Sequence, residues 1–89
     1  MSWQQLYTEF VENDIEFLDD IIESISKPEL CNSTRELTQL DIEYLSTKQL
    51  LSLLVIWKDT YLDEPSNVDN QIAQKNYYLL REHVEKVVL

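Results

Sequence analysis

Apolar residues recur at helical spacing along most of the chain, and the recurrences define the elements. In the first segment Trp3, Leu6, Tyr7, Phe10, Val11, Ile15, Phe17, Leu18, Ile21, Ile22 and Ile25 cover one half of a helix when successive residues are turned by about 100°. Asp14 falls inside that half, where an unpaired carboxylate is costly. Asn13 followed by Glu16 has capping-box-like spacing. The pattern predicts a helix over 3–12, a kink or break near Asn13 and a second helix over 14–26.

Lys27 to Leu37 contains Pro28, Asn32, Ser33 and Thr34 and reads as a connecting loop. Thr38 with Asp41 caps a short helix over 39–45, and Ser46 with Gln49 opens another over 47–62. Leu50, Leu51, Leu53, Leu54, Val55, Ile56 and Trp57 leave that helix almost no polar side, so it is expected at the centre of the molecule. Pro65 and Ser66 end a second loop, with Ser66 and Asp69 repeating the cap signal. The last helix, 70–88, turns Ile72, Leu79, Leu80, Val84 and Val87 inward and carries an i,i+4 pair of Glu82 with Lys86 outside. The fold class expected is all-α: a small helical bundle of three to five helices in a single acidic domain, 1–89.

Composition sharpens this picture in two ways. Glycine is absent. Phosphate-cradling loops, dinucleotide fingerprints and nucleophile elbows need glycine for positive φ or close backbone approach, so none is present in its usual form. Hydrophobic residues are 44% and aromatics 10% of the chain, enough for a core and unlike a disordered acidic tail.

Cys31 is the lone cysteine, which excludes an intramolecular disulfide and a cross-linked secreted scaffold. The first residues show no basic stretch leading into an apolar one, and no apolar run approaches membrane-spanning length, so a cytoplasmic protein is expected. His83 has no convergent ligands at metal-site spacing, and Cys31 no histidine at motif spacing. No catalytic, cofactor or metal residue is assigned, and the chain is read as non-enzymatic.

Charge carries the functional reading. Seventeen acids stand against seven bases, a formal charge of −10, which repels nucleic acid and anionic membrane and steers the chain toward basic protein surfaces. Residues 1–26 hold seven acids and no base. On one continuous helix Glu9, Glu12, Glu16, Asp19, Asp20 and Glu23 fall on one face, with like charges at i,i+4 costing ~0.2–0.5 kcal/mol per pair and no lysine interleaved.

That stripe suggests a partner-binding surface, and the adjacent Tyr77 and Tyr78, which cannot both face one core, suggest aromatic anchors. Trp3, Tyr44 and Tyr61 are further aromatics expected to be partly exposed. The function expected is an acidic inhibitor or immunity-type antagonist, a nucleic-acid mimic of the anti-CRISPR or anti-nuclease kind. It would cover the basic surface of a nuclease or another nucleic-acid-binding protein. In size, acidity and helical content the chain is loosely similar to colicin-type nuclease immunity proteins, but beyond the adjacent tyrosines no motif of theirs maps onto it. The alternative is a helical adaptor or regulatory subunit that binds through an apolar groove or forms a homodimer.

Overall fold

Six consecutive residues of one helix, Leu50 to Val55, are buried, and the other elements are arranged around them. The computed structural model describes residues 2–64 and 69–88. In chain order it contains α1 (Trp3–Asn13), a 3₁₀ turn (Ile15–Phe17), α2 (Leu18–Glu23), a second 3₁₀ turn (Pro28–Cys31), α3 (Gln39–Ile42), α4 (Thr47–Val55) running into a π-helical segment (Ile56–Leu62), and α5 (Asn70–Val88). No strand occurs among the described residues. The chain is a small all-α bundle in which α1, α2 and α5 each pack on α4.

The cap signals at Thr38 and Ser46 form. Ser46 Oγ accepts from the Gln49 backbone N–H at 3.2 Å while Gln49 Oε1 accepts from the Ser46 N–H at 2.9 Å. Asp41 Oδ2 accepts from both the backbone N–H and the hydroxyl of Thr38, at 2.9 and 3.0 Å. An equivalent box, Ser2 with Gln5, opens α1. Ser66 lies outside the described residues; at α5 it is Asp69 whose Oδ1 accepts from the Gln71 N–H at 2.8 Å.

Ser52 is tolerated within the buried run because its hydroxyl donates back to the Lys48 carbonyl at 2.8 Å. From α5 the core receives Ala73, Tyr77, Leu80 and Val84, one stripe at helical spacing, whereas Val87, expected inside, is 54% exposed. The i,i+4 ion pair on α5 is Arg81 with Glu85, at 3.6 Å, in place of the expected Glu82 with Lys86.

Three expectations are corrected. The helix beginning at Thr47 is α-helical only to Val55; beyond it the bonding shifts to i→i+5, as in Asp63 N–H to the Lys58 carbonyl at 2.8 Å. The short helix ends at Ile42, earlier than expected. The segment Lys27–Leu37 is more than a connector, since Leu30 and Leu37 are buried in the core.

Side chains distant in sequence hold this strap in place. Trp57 Nε1 donates to the Leu30 carbonyl at 3.0 Å, and Tyr61 Oη donates to the next carbonyl, Cys31, at 2.9 Å. The two rings meet edge to face, 4.9 Å between centroids. Asn76, fully buried on α5, accepts from the Leu37 N–H at 2.8 Å and donates to the Arg35 carbonyl at 2.7 Å. Backbone groups that would be orphaned by burying a loop are thus paired.

Candidate partner-binding face

The six acids singled out by sequence are all exposed, those on α1 and α2 because the apolar residues of these helices pack toward α4. On α1, Phe10 is buried and Trp3, Leu6, Tyr7 and Val11 lie half-buried against the core, which turns Glu9 and Glu12 outward. On α2, Leu18, Ile21 and Ile22 face inward and Ile25 follows into the core, leaving Asp19, Asp20 and Glu23 in solvent. Glu16 projects from the turn between the helices.

The stripe does not lie on one continuous helix. α1 ends at Asn13, Asp14 closes it by donating its backbone N–H to the Phe10 carbonyl at 2.8 Å, and a 3₁₀ turn intervenes before α2. The expected capping of a second helix by Asn13 and Glu16 is absent: α2 starts without a side-chain cap. The break therefore falls where the sequence suggests but serves a different purpose. It places Asp14 beside Lys48, 3.8 Å from its ammonium, and removes the α-helical register that would have set Glu12 against Glu16 and Glu16 against Asp20.

The break also dephases the apolar pattern. Ile15 and Phe17, expected on the inner half, are 40% and 48% exposed and interrupt the acidic segment.

Five of the seven bases are engaged by acids outside the stripe. Arg35 pairs with Asp41 at 3.2 Å, Lys48 with Asp14, Lys75 with Glu36 at 3.7 Å, Arg81 with Glu85, and Lys58 with both Asp59 and Asp63 at 3.4 and 3.2 Å. Among the described residues none of Glu9, Glu12, Glu16, Asp19, Asp20 and Glu23 has a lysine or arginine within 4.0 Å.

The adjacent tyrosines part company. Tyr77 is a core residue, edge-on to Trp3 at 6.2 Å and tilted against Tyr78 at 5.2 Å, so it cannot serve as a surface anchor. Tyr78 is 52% exposed, and the Arg81 guanidinium lies 5.8 Å from its ring and 5.0 Å from that of Trp3. Tyr78 lines an open groove of about 530 Å³ with Glu36, Leu37, Lys75, Leu79 and Glu82, none of them from the acidic segment. The structure thus brings the six acids onto neighbouring elements but not together with Tyr78 at one site.

Sequence reasoning missed Leu40, 71% exposed, and understated Tyr44, 90% exposed. They stand four residues apart, Leu40 on α3 and Tyr44 just beyond its end, and the helical spacing expected over 39–45 could have paired them.

Other titratable groups are committed to structure. Tyr7 donates to Asp59 Oδ2 at 2.7 Å, and burial, this bond and the Asp59 charge hold its phenol well above the usual range. Lys58 lies 5.7 Å from the Tyr7 ring; burial opposes its charge, but Asp63 and Asp59 raise its ammonium overall. Burial pushes the Cys31 thiol up, away from the nucleophilic thiolate. His83 is buried with Nδ1 3.0 Å from Gln39 Nε2.

Among the described residues no three His, Cys, Asp or Glu side chains converge as a metal site, and no helix is long and apolar enough to cross a membrane. Comparison with protein-family models, curated proteins and solved structures gives no match to this chain.

Proposed function

We propose that the chain is an acidic binding protein that acts without catalysis, docking the segment from Glu9 to Glu23 on a basic surface of a protein partner. The basic site of a nuclease or another nucleic-acid-binding protein is the surface it fits best. The observation that carries this reading is six exposed carboxylates with no lysine or arginine within 4.0 Å among the described residues, while five of the seven bases pair with other acids, Lys48 with Asp14 of the same segment included. A face needed only for solubility is ordinarily mixed in sign. Here a partner's lysines and arginines would supply the missing charge, and the field would speed their encounter.

Ile15 and Phe17 support the same reading, since exposed apolar residues among charges add contact area at an interface. A second reading, a helical adaptor binding through an apolar groove, draws on the groove beside Tyr78. Ionic strength separates the two. Proteins captured from host lysate at low salt by the wild-type chain should be basic and should be released at high salt; a groove binder's partner should stay bound. Retention indifferent to salt would displace the acidic-segment reading.

A further inference from the structure

Among the described residues the two most exposed large hydrophobic side chains, Tyr44 and Leu40, line one pocket. It has a volume of about 360 Å³ and a mixed lining, with Ile25, Leu30 and Leu45 beside the polar Ser26, Asp41 and Gln49. Its first lining residue, Ser24, directly follows Glu23, the end of α2. Gln49 on α4 ties that edge down, its Nε2 donating to Ser24 Oγ at 3.1 Å.

The pocket therefore opens where the acidic segment stops. Asp19 and Glu23 are one helical turn, about 6 Å, apart on α2 with Asp20 beside them, and Glu23 is followed in the chain by Ser24 of the pocket lining. All three are exposed and have no lysine or arginine within 4.0 Å among the described residues. Lys27 lines the pocket and is outnumbered by them.

We propose that this pocket takes one bulky apolar side chain, aromatic or long aliphatic, from a linear basic segment of a protein partner, whose lysines or arginines lie along Asp19, Asp20 and Glu23. The inference rests on the acidic-segment reading and adds where the partner's apolar anchor goes. Charge complementarity selects the occupant. A second copy of this chain would bring a net charge of −10 against −10, whereas a basic segment neutralises α2 while its apolar side chain covers Leu40 and Tyr44. A volume of 360 Å³ is at the small end for a ligand cleft and suits a single side chain held by a short segment.

The test uses the full chain and two synthetic peptides of equal length and equal positive charge. One contains only lysine and alanine; in the other a single central alanine is replaced by tryptophan. At low salt the tryptophan peptide should bind at least about tenfold more tightly, as expected of a buried aromatic anchor. Amide shifts in a ¹⁵N-labelled chain should centre on residues 24–27 and 40–45. The double variant Leu40→Ser, Tyr44→Ser alters only exposed side chains and should keep the parent circular dichroism and melting temperature while binding both peptides equally.

Equal affinity of the two peptides for the parent would overturn the pocket inference and leave the charged docking segment standing. Failure of both peptides to bind would remove the segment reading as well. A parent chain that sediments as a dimer dissolved by the double variant would reassign the pocket to contact between copies, again overturning the inference.

Discussion

Two regions of this small molecule handle polar groups in opposite ways. Around the strap and the π-helical segment polar groups are paired across long sequence distances: Trp57 and Tyr61 reach consecutive carbonyls, and Asn76 serves one backbone donor and one backbone acceptor, while Arg35 Nε is buried without a partner. Along α1, the first 3₁₀ turn and α2, six carboxylates stand in water with no base drawn up to them. The first arrangement stabilises a fold that lacks glycine for tight turns. The second contributes little to stability beyond Asp19 and Asp20 at the N-terminal turn of α2, and no lysine or arginine lies within 4.0 Å of its six acids among the described residues.

The largest effect that would sharpen this contrast comes from the paired region. Trp57→Ala removes a fully buried ring and its bond to Leu30, and should cost ~3–5 kcal/mol. Against a total of about 4–13 kcal/mol for a chain of this length, that nears unfolding. Urea denaturation followed by circular dichroism measures it, and a loss below ~1 kcal/mol would mean the strap is not anchored as described.

Next in size is Asn76→Ala, which orphans the Leu37 N–H and the Arg35 carbonyl at ~1–3 kcal/mol for each group left buried and unpaired. Hydrogen exchange at Leu37 should accelerate in this variant more than exchange in α4. Uniform acceleration would mean that Asn76 supports the whole core rather than the strap.

A smaller, pH-dependent effect attaches to Asp41. Burial alone would raise its carboxyl, but donation from the Thr38 backbone and hydroxyl and from Arg35 outweighs burial and holds it below its ordinary 3.8. The folded state therefore binds fewer protons there than the unfolded chain. Its contribution is present above about pH 4 and is lost as pH falls through and below that value. Asp41→Asn should lower stability by ~1 kcal/mol at pH 7, and the difference from the parent should shrink progressively as pH falls below 3.8, as thermal melts over a pH series would show.

The fold was legible to the extent that it depends on local signals. Ser46 with Gln49 and Thr38 with Asp41 act at a separation of three residues, and both form as read. The apolar run from Leu50 needs no partner to declare itself buried. The strap was not legible, because its anchors Trp57, Tyr61 and Asn76 lie 27 to 41 residues away. The π-helical segment was hidden too, since a shift from i→i+4 to i→i+5 bonding leaves no mark on composition.

For the candidate site, the sequence showed the six acids and a break near Asn13, but grouped the acids on one helix face across that break. The 3₁₀ turn after Asp14 breaks the 3.6-residue period, and that loss of phase turned Ile15 and Phe17 outward against expectation. Tyr77 and Tyr78 were read as facing different environments; the core takes Tyr77, which shares the α5 stripe of Ala73, Leu80 and Val84 and meets Trp3 edge-on.

The smallest expected change in stability belongs to the variant that matters most. Reversing Glu12, Glu16 and Asp19 to lysine touches only exposed side chains on three successive elements and should leave the melting temperature close to the parent's, because a smaller net negative charge offsets the loss of Asp19 from the first turn of α2. Its affinity for the basic partner captured by the parent chain at low salt is the most direct test of the account. The triple variant should lose binding by several kcal/mol, mostly through a slower, no longer steered encounter and repulsion at contact. An affinity equal to the parent's at low salt, with the fold intact, would contradict the central claim.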